Sequence, residues 1–170
     1  RPKAPIKACT VSTKKIQTSG NLVSHTQEVL HKSDIILLDI LNLETGSRGY
    51  VLVGNKAFLE PYNIALSKIH GDLASFQVII NDNPKQQVRF DSLKKTISHR
   101  LLLSKKLVEA KMQNQLNEAE KKEIVEKGQI LTDSIRSLIA NINSDEFELL
   151  KKRKSITEQG SQNSKLLFST

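Results

Sequence analysis

The stretch Leu43-Glu44-Thr45-Gly46-Ser47-Arg48-Gly49-Tyr50-Val51-Leu52-Val53-Gly54 places two glycines and a charged pair inside a helical period. Leu30, Ser33, Leu37, Ile40, Glu44, Ser47 and Val51 follow alternating steps of three and four, the spacing of one helix face. Leu41 and Leu52 widen that stripe, and Gly54-Asn55 supplies residues that tolerate the left-handed backbone at a helix end. The spacing predicts a first helix from about Ser19 to Val53, roughly 50 Å long at about 1.5 Å per residue.

Within that helix, Glu44 falls on the core seam and Arg48 follows one turn later, acid first, the favourable order for an i, i+4 pair. On an exposed face such a pair contributes a few tenths of a kcal/mol. Beside a buried stripe, the charges need partners and hydrogen bonds. Gly46 and Gly49 each cost about 1 kcal/mol relative to alanine in a helix, yet each lets a backbone or a large side chain approach closely. Two readings fit this combination. One is a buried polar network that fixes register; the other is ligand contact or signal relay. The candidate polar site comprises Glu44, Arg48, Tyr50, Tyr62 and Arg100, with Gly46 and Gly49 as close-packing positions.

Downstream, Phe58, Tyr62, Ala65, Ile69, Leu73, Phe76 and Ile80 outline a second helix from about Ala57 to Asn81, regular from near Glu60 because Pro61 suits a first turn. Asn81-Asp82-Asn83-Pro84 marks the clearest boundary: Asn83 can cap free amides, and Pro84 suits a first helical position. The third helix then runs to about Gln115, burying Phe90, Leu93, Ile97, Leu101, Val108 and Met112. Asn117 with Glu120 resembles a capping box. It opens a fourth helix to about Glu158, interrupted near Gly128, with Ile124, Leu131, Ile135, Leu138, Ile142, Leu149 and Ile156 on its stripe.

Long helices joined by short connections favour antiparallel neighbours. The expected fold is all-α, an antiparallel up-down-up-down four-helix bundle with long first and last helices, both termini at one end. The expected organisation is a flexible lead-in over 1–13, a sensor domain over 14–158, and an extension over 159–170 leading toward a second transmembrane helix.

Composition agrees with a helical class: 170 residues include four prolines, no tryptophan and 4% aromatics. The longest apolar run, Ile35-Ile36-Leu37-Leu38, is far short of the ~20 residues that cross a bilayer. Cys9 is the sole cysteine and cannot form an internal disulfide. His25, His31, His70 and His99 lack a zinc-ligand spacing, so neither a metal nor a cofactor is expected. His99 reads as a half-buried packing residue. Gly46 and Gly49 lie within a helix rather than between a strand and a helix, which excludes a nucleotide-binding fingerprint.

A specific resemblance rests on the opening stretch followed by Phe58-Leu59-Glu60-Pro61-Tyr62. It continues at Val23-Ser24-His25-Thr26-Gln27-Glu28-Val29-Leu30, at Asp82-Asn83-Pro84, at Ile97 with Arg100-Leu101, and at Asp133-Ser134-Ile135-Arg136. Glu146, Leu149, Leu150 and Arg153 close the series. From about Lys15 to Ile156 the chain resembles the type-three CHASE domains, with Ser47 where glutamine is more usual. These are extracytoplasmic sensor domains of receptor histidine kinases, diguanylate cyclases and chemoreceptor-like proteins. The resemblance implies a four-helix bundle between two transmembrane helices, periplasmic or extracellular, working as a homodimer. It also implies a small-molecule or protein stimulus and no catalytic residue, with a histidine kinase as the parent protein. The rival classes are a soluble helical interaction module and a nucleic-acid-binding bundle.

The net charge is +8, gathered in Arg1, Lys3, Lys7, Lys14 and Lys15 at one terminus and Lys151-Lys152-Arg153-Lys154 near the other. Aromatic residues are not interleaved with these lysines and no DNA-reading pattern occurs, which argues against nucleic acid. With both termini at one end, the basic clusters suit an anionic membrane surface. The chain is expected to bind anionic vesicles more tightly than neutral ones, and less tightly as salt rises. Equal affinity for both in a co-sedimentation assay would remove the lipid expectation.

Overall fold

The computed structural model consists of four α-helices: α1 (Ile6–Val53), α2 (Leu59–Ile79), α3 (Pro84–Met112) and α4 (Glu118–Leu166), with a single 3₁₀ turn over Lys56–Phe58. It describes the backbone of residues 6–81 and 83–166, and the side chains of 20–81, 83–156 and 158. No strand occurs among the described residues, and the fold is the expected all-α bundle.

Local chemistry sets the helix ends. Gly54 adopts φ of 76°, and its N–H donates to Tyr50 O at 2.7 Å, closing α1. Asn83 Oδ1 accepts the N–H groups of Lys85 (3.1 Å) and Gln86 (3.4 Å), with Pro84 at the first helical position. Asn117 Oδ1 accepts the Glu120 N–H at 2.8 Å and starts α4 in the same manner.

Helix lengths differ from the sequence expectation in the outer parts. α1 begins at Ile6 rather than near Ser19, so residues 6–13 are helical where a lead-in was expected. No proline or glycine lies between Ile6 and Ser19 to interrupt a helix. α4 passes Gly128 unbroken and reaches Leu166 instead of stopping near Glu158. α3 ends at Met112, three residues early, and Asn114 takes up a left-handed conformation with φ of 55°. Residues 1–5 and 167–170, at the outer ends of the expected lead-in and extension, lie outside the described residues.

α1 packs on all three other helices, most extensively on α2 and α4. Its buried face is therefore wider than one stripe. Val29, Ile36, Leu43 and Tyr50 are buried alongside Ser33, Ile40, Glu44 and Ser47, while Leu30 and Leu37 are half-buried flanks. The core continues through Tyr62, Ala65, Ile69, Leu73 and Phe76 of α2, Phe90, Leu93 and Ile97 of α3, and Ile135, Ile139 and Ile142 of α4. The Phe76 and Phe90 rings meet in a tilted pair with centroids 5.9 Å apart. Leu52, Phe58, Met112 and Ile156, expected on buried stripes, are exposed: Leu52 turns to the outer side of α1 beside buried Tyr50 and Val51, Phe58 lies in the 3₁₀ turn, and Met112 is the last residue of α3. Cross-helix contacts such as Thr26 to Glu146 and Glu44 to Thr132 make α1 and α4 antiparallel. The start of α1 and the end of α4 thus run past the α2–α3 turn at one end of the bundle.

The α1–α2 hairpin closes tightly over the two glycines. A Cβ on Gly46 would lie 2.7 Å from Phe58 O and 2.9 Å from Tyr62 Cβ, atoms held by the start of α2. A Cβ on Gly49 would first meet the Phe58 ring, with Cγ at 2.8 Å, and that ring is partly exposed and can swing away. Gly46→Ala is expected to destabilise by roughly 2 kcal/mol, since overpacking outweighs the ~1 kcal/mol gain in helix propensity. Gly49→Ala should be close to neutral. Urea unfolding of both variants checks the order, and equal midpoints would contradict the close approach at Gly46.

Candidate functional site

Glu44 projects from the buried side of α1 toward α3 and α4. Its Oε1 receives Arg48 Nη1 at 2.9 Å, and its Oε2 accepts from Thr132 Oγ1 at 2.7 Å. Arg100 of α3 donates from Nε to the same Thr132 hydroxyl at 3.1 Å, and its Nη2 lies 3.8 Å from Glu44 Oε2. Arg100 Nη1 also donates to Ser104 Oγ. The single hydroxyl proton of Thr132 has a second acceptor, Gly128 O at 3.1 Å, but the carboxylate is nearer and charged. The result is a relay running Arg100, Thr132, Glu44, Arg48 through three helices.

Burial raises the stakes of each bond. Arg100 and Thr132 are almost fully buried, and Glu44 retains 9% exposure. Burial lowers the Arg100 guanidinium below its ordinary range, Glu44 opposes that effect, and Arg48 adds to it. Gly128 packs beside this cation: a Cβ there would sit 3.4 Å from Arg100 Cζ, ordinary van der Waals contact. The glycine expected to break α4 instead lies beside the guanidinium.

Of the sequence-derived site, Glu44, Arg48 and Arg100 are brought together. Tyr62 of α2 is buried close enough to act on Arg100. Burial raises its hydroxyl above the ordinary range, Glu109 raises it further, and Arg100 lowers it. Tyr50 is not part of the network; its ring belongs to the apolar core. Gly46 and Gly49 face the α2 start rather than the charges. Sequence reasoning missed Thr132 and Ser104, although Thr132 lies three residues before core Ile135 and shares its phase.

A polar cavity of about 190 Å³ opens beside the network, between α1 and α4. Glu44 and Arg48 form one wall, and Gln129, Thr132, Asp133 and Arg136 form the other. Two acids and two bases balance its charge, and Arg136 Nη1 approaches Asp133 Oδ1 at 3.5 Å. The space suits a few waters or a small polar molecule. Two further polar contacts join the same helices toward the termini. Ser33 Oγ lies 2.9 Å from Asn143 Oδ1. Beyond it, the buried Glu146 carboxylate accepts from Thr26 Oγ1 and from Gln86 Nε2, each at 2.9 Å. Next to it, Asp145 pairs with Lys85 at 3.1 Å and Arg89 at 2.5 Å, tying the start of α3 to α4.

On the outer α3–α4 face, His99, Leu102, Leu103, Lys127, Ile130 and Leu131 line an open apolar groove of about 380 Å³. His99 is exposed there, not packed as expected. Among the described residues no cluster of His, Cys, Asp or Glu could hold a metal ion, and no helix is long and apolar enough to cross a membrane.

The network makes a graded prediction. Thr132→Val keeps the shape but strips a partner from both Arg100 Nε and Glu44 Oε2, for an expected loss of about 1–3 kcal/mol. Arg48→Ala removes a part-exposed partner and is expected to cost about 0–1 kcal/mol. Denaturant unfolding of both should show the threonine variant as the less stable, and the reverse order would contradict the relay.

The sequence profile of the CHASE3 domain matches residues 19–155. Among solved structures, the chain is similar to the sensor domain of the Rhodopseudomonas palustris histidine kinase HK9. The identity is 23% and the TM-score 0.66, covering 74% of this chain and 98% of that one. At this identity the likeness shows the shared helical fold. No curated protein matches the sequence.

Proposed function

Because the chain belongs to the CHASE3 domain family, we propose that it is the extracytoplasmic sensory domain of a membrane-anchored receptor, with a histidine kinase as the parent protein. In this reading the domain lies in the periplasm or outside the cell, pairs with a second copy of itself, and performs no catalysis. A stimulus shifts α1 relative to α4, and those helices carry the displacement to a cytoplasmic output.

One observation carries the reading: the α1–α4 seam is joined by discrete polar contacts rather than by continuous apolar packing alone. Thr26 with Glu146, Ser33 with Asn143, and Glu44 with Thr132 each occupy one level of the seam. Hydrogen-bonded registers of this kind are discrete, because a shift of one turn, about 5.4 Å, breaks every pair at once. Smaller shifts of one or two ångströms strain them unequally. The cavity at Glu44 and Arg48 borders the uppermost of these levels, so a small charged or polar molecule seated there would touch both helices. The network also serves architecture, since it satisfies buried charges whether or not a ligand arrives.

The test is a tether. In the full receptor with Cys9 replaced by serine, Ser33→Cys and Asn143→Cys introduce facing thiols across the seam. Oxidation in membrane vesicles is expected to change basal autophosphorylation several-fold, and reduction to restore it, with either single cysteine inert. Output indifferent to the closed tether would overturn relay through α1 and α4.

A further inference from the structure

The α1–α2 seam holds a buried acid unrelated to the Glu44 network. Asp39 follows the core side of α1 among Ile36, Ile40 and Leu43, which have no solvent exposure, and itself retains 7%. Its Oδ2 is buried without a donor. Asp72 of α2, between core residues Ile69 and Leu73, is the acid across the seam whose side chain and charge act on Asp39. Ionised carboxylates are acceptors only, so two of them facing each other repel and leave lone pairs empty. A single proton converts the same geometry into a hydrogen bond. Lys68, one turn before Asp72 on α2, is the cation acting on Asp39. Lys32 of α1 is directed instead to Ser75 Oγ at 3.4 Å, and that hydroxyl donates to Asp72 O at 2.9 Å.

We propose that Asp39 and Asp72 form a proton-binding site through which the α1–α2 seam responds to acidification of the surrounding medium. A proton needs no cavity to reach the pair, which distinguishes it from any ligand of the Glu44 cleft. Burial is the main cause that raises Asp39 to about 6, followed by the Asp72 hydrogen bond and charge, while Lys68 lowers it. The folded value exceeds the ordinary ~3.9, so the folded chain holds this proton more tightly than the unfolded chain. The stabilisation is complete below about pH 4 and is lost as pH rises through the folded value. Acidification therefore seats α1 more firmly on α2, and alkalinity loosens that seam, first through the cost of burying an ionised Asp39 and then through repulsion from Asp72.

Carbon-detected NMR titration of the isotopically labelled chain tests the site directly. The Asp39 carboxyl is expected to titrate with a midpoint near 6, and Asp72→Asn is expected to lower that midpoint. A midpoint in the ordinary range of about 4 would overturn the proposal. Thermal unfolding supplies an independent reading. Histidines in general titrate in the same interval, so the informative quantity is the difference between the wild type and Asp39→Asn. The amide imitates the protonated acid and should fold. The Tm of the wild type relative to this variant is expected to rise between about pH 7.5 and about pH 5. Parallel profiles would overturn the proton site. These measurements use the chain by itself, so their failure leaves the receptor reading standing, and failure of the α1–α4 tether leaves the proton site standing.

Discussion

A buried carboxylate with every oxygen spoken for is the constraint on which this bundle depends. Glu44 cannot remain charged on the inner face of α1 unless cations and donors meet it there. They come from its own helix (Arg48), from α4 (Thr132) and, more distantly, from α3 (Arg100). Apolar side chains tolerate sliding; a hydroxyl held 2.7 Å from an anion does not. The network therefore fixes the height of three helices at once, and the apolar core fills in around that register.

The fourth helix is positioned by different means. α2 is drawn onto α1 by the absence of a side chain at Gly46, which lets Phe58 O and Tyr62 approach the α1 backbone. Close backbone approach on one side and hydrogen-bonded levels on the other make α1 the common member of two unlike seams. The first resists separation through contact. The second resists sliding through direction. Asp39 and Asp72 place acids in the first seam, whose core is otherwise apolar and which also carries the Lys32–Ser75 hydrogen bond.

Much of this was legible in the sequence because its causes are local. Asn83-Pro84 and Asn117 with Glu120 announce helix starts through side-chain chemistry that acts within three residues. Glu44 was legible as anomalous because its phase coincides with the seam. The same phase argument applies to Thr26, Gln86, Thr132 and Glu146, but nothing in their spacing marks them as site residues. Neutral threonine and glutamine raise no alarm on a stripe, and Glu146 has no cation one turn away to mark it. Tyr50 is among the candidate polar residues, but its ring turns into the core. The outer lengths of α1 and α4 were illegible for another reason. Apolar periodicity marks a helix, and residues 6–13 and 159–166 show no such period.

That continuation has a mechanical meaning. From the Thr26–Glu146 level, α1 runs back to Ile6, a rod of roughly 30 Å at about 1.5 Å per residue. Treated as a lever pivoting at that level, a tilt of about 5° sweeps its far end through about 2–3 Å. A small change of angle at that level thus becomes a displacement comparable to the spacing between packed atoms. In the relay proposed above, the bundle would set the angle and the length of α1 beyond that level would set the gain.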